Sequence, residues 1–269
     1  MIKIEMQDVW LGYGHTVVLK GITLRAMPGE MVGLIGPNGC GKSTVIRALS
    51  RVITPHSGRI FLDSKDLTRI PRRDLARLMG VVPQMPLLPS AFTAFEIVLM
   101  GRNPHLGLFQ YEGRRDQAIA WQAMARTGTT TLAERRVGEL SGGEIQCLLI
   151  ARVLAQETKV ILLDEPTANL DIGRQIEILD LIKKLCLENN LTVLTALHDL
   201  NLAAQYCDRL VMLCGGRIHA EGKPEEVITK RYIQEVYGAQ NCVYPHPVNE
   251  LPTVLLTAGN RRRAPDQGG

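Results

Sequence analysis

The 269-residue sequence lacks the features of several protein classes. No apolar run approaches the roughly 18 residues that mark a membrane-spanning helix, and the charged, alternating residues 1–5 do not form a signal peptide. The six cysteines are scattered, without a CxxC pair or a Cys/His spacing typical of zinc ligands. We therefore expect reduced thiols and a cytosolic chain.

A strong charge of either sign is also missing. The formal net charge is +4, and the charges are interspersed except for three arginines at residues 261–263. Such a balance predicts no nucleic-acid partner. With 45% hydrophobic and 22% charged residues and no internal repeat, the chain has an ordinary globular composition, and its length suits one or two compact units.

A glycine-rich stretch, residues 36–44, is the most informative part of the chain. It fits the pattern GxxxxGK[ST], follows an apolar strand pattern at residues 31–35 and precedes a helix pattern at residues 45–49. In that context successive backbone N–H groups point at an anion, which predicts nucleotide binding. The loop consists of Gly36, Pro37, Asn38, Gly39, Cys40, Gly41, Lys42, Ser43 and Thr44.

Four side chains around this loop have expected roles. Lys42 reaches the β- and γ-phosphates, and Ser43 offers a hydroxyl to Mg²⁺. Tyr13, in a turn ahead of the loop, either stacks on a purine or only packs, and the residues themselves favour neither role. Cys40 is expected to serve only as a small residue in native function, although the electropositive loop should favour its thiolate and a bulky thiol reagent there should block nucleotide binding.

A second nucleotide signal is a pair of carboxylates at the end of an apolar strand pattern. Residues 159–163 lead directly into Asp164 and Glu165. Adjacent like charges are costly unless a metal is present. The first carboxylate is therefore expected to hold Mg²⁺ or its water, and the second to orient or deprotonate an attacking water. Glu165 has no obvious ion-pair partner in the sequence.

Strand and helix patterns alternate along the chain. Strand patterns occupy residues 3–7, 16–19, 57–63, 81–84, 159–163, 191–197, 209–213 and 217–220. Helix patterns occupy residues 71–78, 95–100, 115–126, 145–155, 174–189 and 224–228. Because strand patterns vanish between residues 85 and 155, we predict a helical insertion in an α/β core. A tail from residue 239 carries two short strand patterns, 242–244 and 253–256, and is expected to be disordered after Gly259.

Residues 140–144, Leu-Ser-Gly-Gly-Glu, together with the phosphate loop, resemble the ATP-binding subunits of ABC transporters. The resemblance covers residues 1–238. It implies an α/β fold with a P-loop core and a mostly parallel sheet, an N-terminal antiparallel β-subdomain and a helical subdomain inserted at about residues 86–155. Residues 239–269 form a C-terminal extension that matches no defined module.

The resemblance implies a role for each residue of the expected site. Tyr13 stacks on adenine, Gln84 contacts Mg²⁺ and the attacking water, and Asp164 binds Mg²⁺. Glu165 is the general base, and His198 contacts the γ-phosphate. ATP and Mg²⁺ are thus the expected cofactors, and the activity is ATP hydrolysis coupled to transport.

The resemblance also implies that two copies act together. Ser141, Gly142, Gly143 and Glu144 form the signature loop, which faces the ATP held by a second copy, so that two copies close head to tail around two ATP molecules. Residues 168–171 cross to the partner. One departure is Cys147, where the family usually has arginine. Any support that the charge of this arginine gives to the helix after the signature loop is therefore missing.

Residues 100–107, MGRNPHLG, resemble the GRxPHxG stretch of importers for iron-siderophores, haem and cobalamin. This implies permease partners, indirectly a substrate-binding protein, and a peripheral place on the cytoplasmic face of a bacterial or archaeal membrane. Residues 85–107 are expected to line the groove for a permease helix, through Met85, Leu87, Leu88, Phe92, Phe95 and Met100. The alternatives are a soluble ABC-type ATPase, such as an iron–sulfur assembly factor, or an importer of metal ions or phosphonates.

Overall fold

The computed structural model describes residues 2–84, 86–238 and 241–256. Its strands are β1 (Ile4–Tyr13), β2 (Thr16–Ala26), β3 (Met31–Ile35), β4 (Ser57–Leu62), β5 (Lys65–Asp66), β6 (Met79–Val82), β7 (Val160–Asp164), β8 (Thr192–Ala196), β9 (Arg209–Cys214), β10 (Arg217–Gly222), β11 (Asn241–Pro245) and β12 (Pro252–Leu256). Its α-helices are α1 (Lys42–Leu49), α2 (Arg72–Leu78), α3 (Ala94–Leu99), α4 (Arg114–Arg126), α5 (Gly142–Ala155), α6 (Ile172–Asn189), α7 (Leu200–Tyr206), α8 (Pro224–Val227) and α9 (Lys230–Tyr237). Within these described residues, no helix combines the length and apolarity that crossing a bilayer requires.

The central sheet has six strands in the order β10-β9-β3-β8-β7-β6. The pairs from β9 to β6 are parallel, and β10 adds to β9 as an antiparallel hairpin strand. Every residue of β3, β7 and β8 is buried, because helices cover both faces of the sheet. This confirms the predicted α/β class with a mostly parallel sheet.

A second sheet is antiparallel and has the order β2-β1-β4-β5. Its inner face and the central sheet enclose helix α1, so that Leu11 and Leu19 share one apolar cluster with Val45 of α1 and Leu194 of β8. The predicted N-terminal antiparallel subdomain is therefore present. Its packing brings the start of β2 next to the loop that precedes α1.

The chain between β6 and β7 is helical and has an apolar cluster of its own. Ile97 of α3, Met124 of α4 and Leu148 of α5 belong to this cluster. Thr93 caps α3 and receives a reciprocal contact from Glu96, which fixes where that helix begins. This arrangement agrees with an inserted helical subdomain at about residues 86–155, although the assignment of domains remains a prediction.

The C-terminal extension packs on α7. The sequence patterns predicted neither this helix nor the packing. Strands β11 and β12 form the expected hairpin, and β12 lies against α7. The side chain of Asn201 accepts a hydrogen bond from the Val254 N–H (2.7 Å) and donates one to the Val254 carbonyl (3.3 Å). An amide side chain thus pairs with β12 as a neighbouring strand would. The disorder predicted after Gly259 falls outside the described residues.

Gly101 and Arg102 lie inside the helical subdomain, which corrects their expected place in a docking groove, whereas Asn103 and Gly107 are exposed. Gly101 and Arg102 are buried, and a Cβ on Gly101 would lie 2.3 Å from the Arg152 carbonyl oxygen. The Arg102 guanidinium bonds to Asp116 (3.0 Å), to Glu157 (2.7 Å) and to a carbonyl of α5. A buried arginine with three partners is a structural feature of the subdomain.

Replacing Arg102 should therefore destabilise the protein. Arg102→Met keeps the length of the side chain but leaves Asp116, whose side chain is 14% exposed, without its main partner. We expect the free energy of unfolding at pH 7 to fall by about 3 kcal/mol, as when one member of a buried pair is removed. Urea denaturation followed by circular dichroism measures this change.

The stability that the Arg102–Asp116 pair contributes should depend on pH. The Arg102 hydrogen bond lowers the pKa of Asp116 below its ordinary value of 3.8, so the stabilisation is present above that value and is lost as the pH falls through the lowered pKa. Arg115→Met is the control, because Arg115 is an exposed arginine of α4, the helix that contains Asp116. It should change stability by less than about 0.5 kcal/mol. Equal stability of the Arg102→Met protein and the wild type would contradict the assignment.

Candidate functional site

The predicted site residues other than Tyr13 and the signature loop lie where four parallel strands end. The phosphate loop follows β3, Gln84 follows β6, Asp164 ends β7, and His198 follows β8. Because the carboxyl ends of parallel strands share one edge of the sheet, these residues meet there. They border a cavity of about 440 Å³ that is lined by Val18, Asn38, Gly39, Gly41, Lys42, Ser43, Thr44, Gln84, Glu165 and His198.

The backbone of the phosphate loop requires glycine at its beginning and end. Gly36 has a φ of 144° and Gly41 a φ of 111°, both outside the range that other residues favour. A Cβ on Gly36 would lie 2.3 Å from the Leu213 carbonyl oxygen, so the loop rests directly on β9. Gly41 precedes α1 and has no side chain to cap it, which leaves the first N–H groups of the helix directed at the cavity.

Lys42 and Ser43 are both held by polar partners. The Lys42 ammonium is buried and donates hydrogen bonds to the carbonyl oxygens of Gly36 (2.7 Å) and Pro37 (3.2 Å). The Ser43 hydroxyl donates to Asp164 Oδ1 at 2.8 Å. Burial raises the pKa of Asp164, the Ser43 hydrogen bond opposes this shift, and the charge of Glu165 reinforces it. A cation placed here would relieve the repulsion between the two carboxylates.

Glu165 contacts two side chains from neighbouring strand ends. Gln84 Nε2 donates to one of its carboxylate oxygens, and His198 Nε2 contacts the other. Its side chain is only 9% exposed, and its φ of 54° is unusual for a residue other than glycine, as is often found at functional sites. The sequence shows no obvious partner for Glu165 because both side chains that contact it come from distant segments.

Tyr13 lies at the end of β1 beside the loop and does not line the cavity. Its side chain is 43% exposed, and its hydroxyl accepts a hydrogen bond from Arg47 Nη1 at 3.1 Å. The ring thus has an open face and a fixed end, but its stacking on adenine remains a prediction. Arg47 was missed in the sequence, although it follows Ser43 by four residues and so lies on the same face of α1.

The signature loop begins helix α5 and does not line this cavity. Ser141 is the N-cap, and Glu144 accepts hydrogen bonds from its N–H (2.7 Å) and its hydroxyl (2.8 Å). Ser141 and Gly142 are exposed. Within one chain, the two parts of the predicted ATP site are therefore not brought together.

Cys40 corrects another expectation. Its side chain is 6% exposed and belongs to the apolar cluster around α1. Burial raises the pKa of the Cys40 thiol, and the opposing charge of Lys42 does not compensate for it. The loop therefore does not favour the thiolate, because desolvation of the anion outweighs the nearby positive charge.

Cys40 should therefore react slowly with a bulky maleimide at pH 7. The reactive thiolate forms above the raised pKa, so the rate should rise only as the pH passes the ordinary thiol value of 9.0. Mass spectrometry of the labelled peptides measures this rate against that of the half-buried Cys242. Bound ATP should slow the reaction further, and labelling of Cys40 as fast as Cys242 at pH 7 would contradict the burial argument.

Known proteins with similar sequences are ATP-binding subunits of importers. The chain is 40% identical to the ferric enterobactin transport ATP-binding protein of Escherichia coli, over 94% of this chain and 93% of that protein. It is 43% identical to the hemin import ATP-binding protein of Gloeobacter violaceus, over 94% and 91%. It is 40% identical to the cobalamin import ATP-binding protein of Halobacterium salinarum, over 89% of this chain and 60% of that protein.

Solved structures with a similar fold are ABC transporter cassettes. A chain of an inward-facing transporter described as of the metal-chelate type matches with a TM-score of 0.84 and 27% identity, over 96% of this chain and 98% of that one. The dimeric cassette MJ0796 matches with a TM-score of 0.72 and 29% identity, over 82% and 98%.

A family model described as "ABC transporter" matches residues 19–168, more than half of the chain. Together with relatives that are about 40% identical over most of the sequence, this match confirms the predicted nucleotide-binding, ATP-hydrolysing subunit. The alternative of a soluble ABC-type ATPase is not favoured. The chain belongs to the ABC transporter family, as an ATP-binding subunit similar to those of iron-siderophore, haem and cobalamin importers.

Proposed function

We propose that this chain hydrolyses ATP to power the import of an iron complex, either a siderophore or haem, or of cobalamin through a membrane permease. The substrate class rests on the relatives, which import ferric enterobactin, hemin and cobalamin. The observation that supports hydrolysis is the contact of Glu165 with both Gln84 and His198 at the edge of the phosphate-loop cavity.

The phosphates of ATP bind at the loop and the first turn of α1. Lys42 exchanges its bonds to the Gly36 and Pro37 carbonyls for phosphate oxygens, and loop N–H groups provide further donors. Adenine stacks on Tyr13, whose hydroxyl is held by Arg47. These contacts place the γ-phosphate at the end of the cavity where Gln84, Glu165 and His198 lie.

The donor set also fits Mg²⁺. The Ser43 hydroxyl and the Asp164 carboxylate are 2.8 Å apart, and both are oxygen ligands, which Mg²⁺ prefers. Among the described residues no group of three or more His, Cys, Asp or Glu side chains is arranged to hold a metal ion by itself, and Mg²⁺ in nucleotide sites is commonly held by one or two carboxylates and phosphate oxygens. Ser43, Asp164 and Gln84 would hold it, and when bound it neutralises charge on the phosphates.

Glu165 is the general base in this proposal. Its carboxylate accepts a proton from a water molecule while the water oxygen attacks the γ-phosphorus and the bond to the ADP oxygen breaks. Gln84 and His198 hold the carboxylate from two sides, so that it faces the cavity. His198, which is 45% exposed, is placed to contact the γ-phosphate once nucleotide is bound.

Glu165→Gln should keep ATP binding and lose most turnover. The amide retains the shape of the side chain but cannot accept the proton, so we expect the ATPase rate to fall about 10²–10⁴-fold. A phosphate-release assay measures the rate, and binding of a fluorescent ATP analogue measures affinity. Glu225→Gln, at an exposed acid of α8, is the control and should leave both unchanged. Normal turnover of the Glu165→Gln protein would refute the role of the base.

The same variant tests the substrate class. A host strain that lacks this gene is complemented with the wild type or with Glu165→Gln, and uptake of ferric siderophore, haem and cobalamin is measured. We expect uptake of at least one of these to be restored only by the wild type. Restoration of phosphonate or free metal-ion uptake instead would overturn the proposed substrate.

A second copy of the chain completes the ATP site in this proposal. Ser141, Gly142 and Gly143 do not line the cavity of their own chain, and the similar cassette MJ0796 is dimeric. Two copies arranged head to tail place each signature loop against the ATP of the other copy, and residues 168–171 cross between them. The closed pair holds two ATP molecules and opens after hydrolysis.

The permease is the other partner. A groove of about 580 Å³ lies between α1 and α2 and is lined by both apolar and polar residues: Ser50, Arg51, Val52, Arg72, Leu75, Ala76, Met79, Val81 and Gln156. We propose that this groove and the exposed Leu87 receive a cytoplasmic helix of the permease. The chain is then a peripheral subunit on the cytoplasmic face of the membrane, and a substrate-binding protein delivers the cargo from the other side.

The candidate docking residues of the sequence divide into two groups. Leu87 is fully exposed and Phe92 is 38% exposed, whereas Leu88 packs against two apolar clusters. Phe95 stacks on Trp121 with ring centroids 4.8 Å apart. Leu88, Phe95 and Met100 therefore belong to the helical core, and Met85 lies outside the described residues.

Leu87→Glu should abolish association with the permease but leave the isolated ATPase near normal. The side chain is fully exposed, so a charge costs the fold little, but it would be buried on docking. Co-purification with the tagged permease and the basal ATPase rate are the two measurements. Leu187→Glu, at an exposed leucine of α6, is the matched control. Normal co-purification of the Leu87→Glu protein would exclude this residue from the interface.

A further inference from the structure

Arg174, near the start of α6, lies over the signature loop. A Cβ on Gly143 would lie 3.3 Å from Arg174 Cδ, 3.5 Å from Cγ and 3.7 Å from Nε. The stem of the arginine therefore covers a glycine that the proposed function places against the ATP of the partner copy. A Cβ at residue 143 would touch this stem and shift it slightly.

The position of Arg174 is fixed by the beginning of α6. Asp171 caps this helix by accepting a hydrogen bond from the Arg174 N–H at 2.9 Å. A Cβ on Gly142 would lie 3.5 Å from Leu170 Cδ2. Both glycines of the signature loop are therefore contacted by the segment from Leu170 to Arg174. The arginine is thus placed by the backbone of the segment expected to cross to the partner.

The guanidinium of Arg174 has an exchangeable partner. Glu177 Oε2 lies 2.7 Å from its Nη1, and the two side chains are 51% and 62% exposed. Exposed ion pairs are weak, so a multiply charged ligand can displace the glutamate. Arg135 also flanks the loop, but its guanidinium is held by two hydrogen bonds. It donates to the Glu144 carboxylate (3.1 Å) and to the Glu139 carbonyl (2.5 Å).

The signature helix itself offers no cation near its start. From Gly142 to Ile150, α5 contains no lysine or arginine, and Cys147 packs against the apolar cluster under the central sheet. The positive charge that the family usually has at residue 147 is therefore absent there. A guanidinium from α6 stands beside the same turn.

We propose that Arg174 binds the γ-phosphate of the ATP held by the partner copy when the pair closes. This inference rests on the head-to-tail arrangement of the proposed function. The phosphate replaces Glu177 as the acceptor, and the planar guanidinium adds charged donors to the Ser141 hydroxyl and the N–H groups of α5. Arg174 is then a binding residue that acts across the interface.

The test measures ATP-driven dimerisation in the Glu165→Gln background by analytical ultracentrifugation. Adding Arg174→Met keeps the stem over Gly143 and removes the charge, and it should raise the ATP concentration for half-maximal dimer about 10- to 100-fold, as expected for a lost charge-assisted hydrogen bond. Arg174→Lys should have a smaller effect. Glu177→Gln should act in the opposite direction, because it frees the guanidinium.

Two further variants separate this role from a structural one. Arg231→Met removes a similar exposed ion pair, Arg231 with Glu235 on α9, and should leave dimerisation unchanged. Cys147→Arg combined with Arg174→Met should restore part of the lost dimerisation, since it returns a cation to the same turn. Binding of a fluorescent ATP analogue to the monomer should not change in any of these variants.

Each other outcome has a definite meaning. Unchanged ATP dependence with Arg174→Met, weaker dimerisation with Glu177→Gln, or loss of monomer ATP binding with Arg174→Met would overturn the role of Arg174 alone. If the Glu165→Gln protein itself forms no dimer with ATP, the head-to-tail arrangement fails, and the role of Arg174 fails with it.

Discussion

The contact of one carboxylate with two neighbouring strand ends determines the geometry of this site. Strand β7 lies between β8 and β6, so the residue that follows β7 can contact the residues that follow both neighbours. Glu165 is that residue, and it contacts His198 and Gln84. Gln84 leads into the helical subdomain, and His198 leads into α7 and the C-terminal hairpin. If the proposed function holds, a change at the γ-phosphate reaches two separate parts of the chain through a single side chain.

Two side chains of the phosphate loop already have hydrogen-bond partners within the protein. Lys42 donates to two carbonyl groups of its own loop, and Ser43 donates to Asp164. Binding of ATP therefore replaces these hydrogen bonds with hydrogen bonds to phosphate oxygens. The net gain in binding free energy comes from the charge of the phosphates and from the backbone N–H groups that face the cavity.

Local signals explain what could be predicted from the sequence. The strand, glycine loop and helix around residues 31–49 are encoded within a few residues of each other, and so are the caps of α3 and α5. The partners of Arg102 and Asn201 could not be predicted, because they lie up to 55 residues away in the chain. Helix α7 was missed in the sequence, although its N-cap Asp199 is a residue type that commonly begins helices. The chemistry of Cys40 was misjudged because its burial depends on tertiary packing.

Two leucines join the helical subdomain to the rest of the protein. Leu88 and Leu154 each pack against the cluster of the helical subdomain and against the cluster under the central sheet. Because both clusters lose contacts when either opens, the two parts are expected to melt in one cooperative calorimetric transition.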